Sequence, residues 1–333
     1  MEFNNAQKKA ICHGDGPMML LAGPGSGKTT VLTHRIKHMV QEQCIRPENI
    51  LVITFTKAAA GEMKNRFQSL CPDVRGVTFG TFHSVFFWIL RNAYNYTGAD
   101  IATDAERCGA VRDSIERHGF RYDSQEDFSR NVLGEIGYVK SEMRDLSGYV
   151  SATMKTEDFQ IVYNEYEHFL RSRGKIDFDD MLVFTYELFT QRDDIIDMWR
   201  NKFRYILIDE FQDINSIQYE TIRMLAGKRK NIFVVGDDDQ SIYGFRGAAP
   251  AIMKRFPEDF PGTVIEYLNV NYRCSYDVVE CSKRVIKNNA DRYDKNLQSE
   301  YIPGQSDRVH IVKVKDVAEQ NRKIAVSYTH LRA

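Results

Sequence analysis

Apolar positions along the chain fall into two patterns. Short apolar-rich runs occupy Met18–Ala22, Ile50–Thr54, Val77–Phe79, Tyr205–Ile208, Ile232–Val235, Val264–Leu268 and Val309–Val314, unbroken by polar residues at Met18–Ala22, Tyr205–Ile208 and Ile232–Val235. Runs this short, bounded by polar or glycine-rich stretches, predict buried strands of a parallel sheet. Helical spacing follows several of them. A helix opens at Val31–Ile36, another after Gly61-Glu62-Met63, and a third runs from Arg273 to about Asn289. A short helical pattern also follows Phe3–Gln7. From about Tyr94 to Arg173 the strand signals vanish. Arg107–His118 and Glu157–Arg171 show helical periodicity there, with polar loops between, so this stretch predicts a helical insertion. Asp177-Phe178-Asp179-Asp180 begins a further helix, its acids suited to the positive end of the dipole; capping alone accounts for them. Asp316–Ala325 predicts a last helix, whereas Val326–Ala333 extends no element.

Composition narrows the class. At 333 residues with 43% hydrophobic content, the chain is long enough for two or more domains with sizeable cores. A net charge of −1 gives no bulk attraction to a polyanion, though a local basic groove suffices for nucleic acid. Arg112, Arg117, Arg121, Arg130, Lys140 and Arg144 are interleaved with acids and predict a solvated helical surface. The six cysteines form no C-x-x-C pair, which suits reduced thiols in a cytoplasmic protein and no zinc or iron–sulfur frame. MEFNNAQKKA has no apolar core of a signal peptide, and no run approaches the ~18 apolar residues of a membrane span.

The chemistry gathers at strand ends. Met18–Ala22 runs into Gly23-Pro24-Gly25-Ser26-Gly27-Lys28-Thr29-Thr30 and then a helix, which is a P-loop with Ala22 in place of the first glycine. Glycines let backbone N–H groups converge on phosphate, and the helix N-terminus adds its dipole. Lys28 reaches the β- and γ-phosphates, and the Thr29 hydroxyl is suited to Mg²⁺. Tyr205–Ile208 ends in Asp209-Glu210, a Walker B pair: Asp209 for Mg²⁺ and Glu210 as base for the attacking water. Ile232–Val235 ends in Asp237-Asp238-Asp239-Gln240, where Gln240 is suited to a γ-phosphate. A second metal at the three aspartates is not expected, because neighbouring side chains diverge at a strand end. Phe55, and Phe82-His83 after the third run, suit stacking on single-stranded bases, with burial in the core an equal alternative for the two phenylalanines. On composition alone Gln7 is a surface glutamine.

FNNAQ, AGPGSGKTT, TFTKAAAGEM, GTFHS, DFDDM, ILIDEFQD, VVGDDDQSIYGFRGA and LNVNYR occur in one order. The set resembles superfamily 1 DNA helicases of the UvrD/PcrA/Rep type, from Phe3 to about Asn289. The resemblance implies an α/β fold: a RecA-like parallel P-loop sheet with helices on both faces and a helical insertion subdomain. It implies a first RecA-like domain at 1–92 and 174–269, an accessory insertion at 93–173, and the start of a second RecA-like domain at 270–325. It also implies that the chain is an N-terminal fragment, with 326–333 a non-native tail. The implied activity is ATP- and Mg²⁺-dependent 3′–5′ translocation on single-stranded DNA, with 3′-tailed duplex DNA as the unwinding substrate. Under it Gln7 reads adenine, Tyr272 stacks on it, and Arg35 contacts the nucleotide. Lys28, Asp209, Glu210, Gln240 and Arg273 carry the hydrolytic roles, with Thr29 and Asp209 on the metal. Phe55, His83, Tyr243, Phe245 and Arg246 match strand-binding positions. Two departures stand out: TFTKAAA replaces TFTNKAA, and Phe245 replaces the usual tryptophan. A RecB/AddA-type helicase–nuclease, a generic P-loop NTPase and a non-enzymatic DNA-binding module remain open alternatives.

Overall fold

A computed structural model describes residues 2–120, 125–241, 251–289, 292–302, 309 and 311–332. Its strands are β1 Met18–Ala22, β2 Ile50–Thr54, β3 Thr78–Thr81, β4 Tyr205–Ile208, β5 Ile232–Gly236, β6 Val264–Leu268, β7 Val270–Asn271 and β8 Gln298–Ser299. The helices of the first half are α1 Asn5–Cys12, α2 Lys28–Gln41, α3 Lys57–Leu70, α4 Phe82–Tyr94, α5 Asp104–Arg117, α6 Gln125–Ser141 and α7 Thr156–Ser172. Those of the second half are α8 Phe178–Gln191, α9 Asp193–Lys202, α10 Ser216–Ala226, α11 Ala251–Asp259, α12 Tyr276–Ile286 and α13 Val317–Arg332.

Six strands form one sheet in the order β3-β2-β4-β5-β1-β6, every pairing parallel. The apolar runs are unbroken because both faces are covered. Met19 and Leu21 of β1 pack toward α4, α8 and α10, whereas Met18, Leu20 and Ala22 pack toward α1, α2 and α3. The same two-residue alternation divides Leu51 and Ile53 from Ile50 and Val52 in β2, and Ile232 and Val234 from Phe233 and Val235 in β5. This is the parallel α/β sheet expected from the sequence, with helices on both faces.

The helical insertion leaves and re-enters through one neck, a parallel bridge of Ile101 with Ile176. Here Ala102 N donates to Ile176 O at 2.9 Å, and Ile176 N to Asp100 O at 2.8 Å. Helices α5, α6 and α7 share their own apolar cluster around Val111, Val132, Ile136, Phe159, Val162 and Tyr166. Helix α6 occupies what the sequence pattern leaves as a polar loop. Gly134 and Gly137 weaken its helical signature, but a Cβ at Gly137 would lie 2.8 Å from Asp179 Oδ2, so glycine there admits close approach to α8.

The DFDD stretch does more than cap. Asp177 is the N-cap of α8, in a reciprocal capping box with Asp180. The same two carboxylates, with Glu167, enclose Lys140 Nζ at 3.1, 2.7 and 2.6 Å. Lys140 is therefore a buried tie from the insertion to the sheet domain, not the surface residue that local composition suggests. Tyr166 extends the network, donating to Asp177 Oδ2 at 2.9 Å and accepting from Arg107 Nε at 3.0 Å. Burial, partly offset by Lys140, pushes the Asp180 carboxyl up to about 7. The Lys140 ammonium, despite the opposing effect of burial, is held well above its ordinary range by the carboxylates around it.

Among the described residues the last predicted strand does not form: 309 and 311–314 belong to none. Val309, Ile311, Val312 and Val314 are exposed, and the only ladder described in that region is the short parallel pair β7–β8, which offers them no partner. Val326–Arg332 continues α13, so the stretch expected to extend no element lies within a helix. Among the described residues no helix is long and apolar enough to cross a membrane, and all six cysteines are free thiols.

Replacing Lys140 by methionine leaves three buried carboxylates without their cation. Such a loss typically costs about 3–5 kcal/mol. Without the ammonium, the Asp180 carboxyl, already pushed up to about 7 by burial, rises further, and Asp177 loses the charge that helps hold its carboxyl low, so the folded state binds more protons between about pH 4 and 8. Stability of Lys140→Met is therefore expected to recover as pH falls. Urea midpoints of variant and wild type at pH 8 and pH 5.5 check this: the gap between them should narrow at the lower pH.

Candidate active site

Parallel strands deliver the functional side chains to one edge. The P-loop follows β1, the acidic pair follows β4, and β5 lies between them. With neighbouring strands about 4.8 Å apart, Lys28 and Glu210 start roughly 10 Å from each other. Their long side chains close that gap: Lys28 Nζ lies 2.9 Å from Glu210 Oε2. Gly25 and Gly27 have φ of +66° and +88°. These values favour glycine and shape the loop that ends at the α2 N-terminus. A Cβ at Gly25 would also lie 2.8 Å from Asn271 Oδ1. Inside the loop Ser26 Oγ donates to Gly23 O at 2.6 Å. Thr29 and Thr30 are half-buried in the first turn of α2, just beyond Lys28, and Ala22 and Pro24 flank Gly23 at its start.

Gln7 is buried, which corrects its surface assignment on composition. It completes a capping box with Asn4, and its Nε2 donates to Ser26 O at 3.3 Å, so it rests on the P-loop. Tyr272 approaches the same loop from the far side of β6: its N–H donates to Gly25 O at 3.0 Å. Its hydroxyl accepts from Asn4 Nδ2 at 3.0 Å, so Asn4 links Gln7 and Tyr272. Arg273 is exposed beside Gly25. Arg35 does not join them. Its guanidinium is buried, donates to Ala10 O at 3.1 Å and His13 O at 2.7 Å, and lies 4.5 Å from the Phe233 ring centroid. Burial lowers its pKa to about 10. Arg35 is a strut between α2 and the end of α1.

At the end of β4, Glu210 takes a left-handed backbone, φ 52° and ψ 47°. A non-glycine residue held there stores about 1–3 kcal/mol of strain. Burial, with the adjacent Glu210 charge, pushes the Asp209 carboxyl up to about 6. Burial acts the same way on Glu210, but Lys28 and Gln212 outweigh it and hold that carboxyl below its ordinary range. The Thr29 hydroxyl and the Asp209 carboxylate are hard oxygen donors, and among the described residues no cation is ion-paired with buried Asp209, a donor set that fits Mg²⁺.

The end of β5 departs from expectation. Asp237, Asp238 and Asp239 do not diverge: their carboxylates come within 4.8 Å of one another. The chain turns into a short 3-10 helix at Asp238–Gln240, which breaks the alternation of an extended strand. The centre of the cluster is Lys295 Nζ, paired with Asp237, with Asp238, and with Asp239 at 2.8 Å. Arg292 adds two bonds of 2.7 Å to Asp239. Gln240 Nε2 donates to Asp237, so the predicted phosphate sensor is seated on this cluster.

Phe55 and His83 line a second concavity of about 980 Å³, between the sheet edge and the insertion. Arg107, Arg112 and Arg130 from α5 and α6 also line it, so Arg112 and Arg130 face a cavity and not only open solvent. Phe82 is buried in the core, which decides its ambiguity. Burial lowers the His83 pKa, and its ring stands edge-on to Phe178 with centroids 5.8 Å apart. Tyr243, Phe245 and Arg246 lie outside the described residues.

The sequence matches the UvrD/REP helicase N-terminal domain over residues 3–261. The chain belongs to the UvrD/REP helicase family. Two relatives bear this out over most of this chain's length. YjcD of Bacillus subtilis (strain 168) is 40% identical over 310 residues, covering 89% of this chain and 40% of that protein. The ATP-dependent DNA helicase PcrA of Staphylococcus aureus (strain Mu50) is 36% identical over 315 residues, covering 91% of this chain and 42% of PcrA. The chain thus spans less than half the length of either relative.

Three residues here are given no role by the sequence: Gln212 and Asn271, which lie within ILIDEFQD and LNVNYR, and Lys295, which lies in no motif. Asn271 and Lys295 reach the P-loop and the β5 end from far along the chain. Asn271 is buried, donates to Pro24 O at 2.7 Å, and accepts from Arg273 N at 2.8 Å and Cys274 N at 2.7 Å. Asn271→Ala removes all three bonds and leaves buried groups unpaired. The expected cost is about 1–3 kcal/mol, seen as a lower urea midpoint; a midpoint equal to wild type would contradict it.

Proposed function

We propose that this chain carries the nucleotide-binding and strand-binding core of an ATP-dependent DNA helicase moving 3′ to 5′ on single-stranded DNA. The observation that carries the reading is the Lys28–Glu210 contact of 2.9 Å at the carboxyl ends of β1 and β4. It puts a P-loop lysine and a candidate base in one place, beside a sensor turn on the strand between them. Lys28 and the backbone N–H groups of residues 25–29 bind the ATP phosphates. Gln7 and Tyr272 hold the adenine from two sides, and Arg273, together with Gln240, reaches the γ-phosphate. Thr29 and Asp209 hold Mg²⁺, which when bound neutralises phosphate charge. When phosphate takes Lys28, Glu210 loses its ion-pair partner and is freed to orient and deprotonate water.

Strand binding is assigned to the second concavity. Phe55 stacks on a base, and His83 lines the same wall with Arg107, Arg112 and Arg130 supplying positive charge. Tyr243, Phe245 and Arg246 are proposed to complete that path. The substrates under this reading are single-stranded DNA and 3′-tailed duplex, and the setting is cytoplasmic.

Two measurements test it. Lys28→Ala is expected to weaken ATP binding, whereas Glu210→Gln keeps binding and loses DNA-stimulated hydrolysis; turnover of Glu210→Gln within about twofold of wild type removes the base assignment. Phe55→Ala is expected to weaken single-strand binding by about 1–3 kcal/mol, read by fluorescence anisotropy with a labelled oligonucleotide. Unchanged affinity, with helicity intact by circular dichroism, returns Phe55 to a packing role.

A further inference from the structure

Gln212 holds no role in the assignments above, yet its side chain joins the two acidic turns of the nucleotide site. It lies two residues beyond Glu210 in a short 3-10 turn, Phe211–Asp213, and is 2% exposed. Its Nε2 donates to Glu210 Oε2 at 2.9 Å and to Asp213 Oδ2 at 3.1 Å. Its Oε1 accepts from the Asp237 backbone N–H at 3.0 Å. Its own carbonyl accepts from Ser241 Oγ at 3.2 Å. Both ends of one amide are thus spent across two neighbouring strands, β4 and β5. Gly236 makes room for this, since a Cβ there would lie 2.9 Å from Gln212 Oε1.

The choice of oxygen matters. Lys28 and Gln212 both donate to Oε2 of Glu210. Oε1 is left as the acceptor with no bond to a described residue. On the Asp237 side, the same aspartate whose N–H meets Gln212 takes the Gln240 amide on its carboxylate. A continuous path runs Lys28, Glu210, Gln212, Asp237, Gln240.

Resting on the ATPase reading above, we propose that Gln212 is a positioning residue for ATP hydrolysis. It fixes Glu210 through Oε2, leaves Oε1 to take the proton of water, and ties that carboxylate to the Gln240 turn. Base and γ-phosphate sensor then move as one unit when Lys28 leaves Glu210 for phosphate. The step itself is ordinary hydrolysis: water oxygen bonds to the γ-phosphorus, the bond to the ADP oxygen breaks, and the water proton passes to Glu210.

The test uses the whole chain in single-turnover ATP cleavage, with affinity for MgATP measured separately by a fluorescent nucleotide. Gln212→Leu keeps the volume and removes both ties. It is expected to slow cleavage about tenfold or more, the scale of a misaligned base, with affinity unchanged within about threefold. Combined with Glu210→Gln it should cause no further loss, because it acts through Glu210. Cleavage by Gln212→Leu at the wild-type rate, a loss seen wholly in affinity, or full additivity with Glu210→Gln overturns the proposal. If Gln212→Leu fails to fold, Gln212→Glu keeps the size and the Asp237 bond but sets a carboxylate against Glu210; it should lose cleavage as severely, and retained cleavage overturns the proposal. Absence of cleavage by wild type would count against the ATPase reading instead. Hydrogen exchange then decides the tie alone: the peptide holding the Asp237 amide should exchange faster in Gln212→Leu than in wild type or Gln212→Glu, and equal exchange overturns it.

Discussion

All six strands of the main sheet run the same way, so their carboxyl ends share one edge. That single constraint gathers residues from distant parts of the chain. Lys28 leaves β1, Glu210 leaves β4, and Asp237 leaves β5, the strand between them. Phe55 and His83 follow β2 and β3 on the same edge, where they line the concavity against the insertion. Parallel strands need crossover helices, and those helices cover both faces. The cost of the arrangement is charge: several acids end in a partly dry edge, and each requires a partner.

The partners are supplied in a consistent way. An ammonium is set among carboxylates at three places: Lys28 against Glu210, Lys295 among Asp237, Asp238 and Asp239, and Lys140 among Glu167, Asp177 and Asp180. The first is half-open and, under the proposed function, is the one a phosphate would displace. The other two are nearly closed to solvent and join parts of the fold. Lys140 joins the insertion to α8, and Lys295 joins the segment beyond α12 to the β5 turn. Buried ion pairs of this kind contribute little net stability against a packed apolar alternative, but removing one partner is costly. They therefore fix geometry more than they add stability.

Asn271 plays the neutral counterpart. It binds Pro24 O with its amide N–H and gathers two backbone N–H groups with its oxygen. Tyr272 and Arg273 are thereby held at the P-loop by a turn whose side-chain bonds are satisfied locally. The Asn271 side chain and the Tyr272 N–H tie this segment to Pro24 O and Gly25 O, a direct link between the P-loop and the chain beyond β6.

The local sequence determined what local physics fixes. Apolar runs at β1, β2, β4 and β5 are strands because residues buried on both faces need no polar alternation. The P-loop and the Asp209-Glu210 pair are legible because the chemistry demands particular residues at fixed spacing beside a strand. The tertiary structure alone decided what depends on distant partners. Helix α6 exists because packing against α8 outweighs its two weakening glycines. Val309–Val314 is not a strand, because an apolar run forms one only where another edge is there to pair. Arg35 is a strut, since its target carbonyls lie on α1, and the Asp237–Asp239 cluster converges because a 3-10 turn and Lys295, 56 residues beyond Asp239, draw it together. Spacing along a chain specifies periodicity and local motif; which charge meets which is set only when the strands have taken their order.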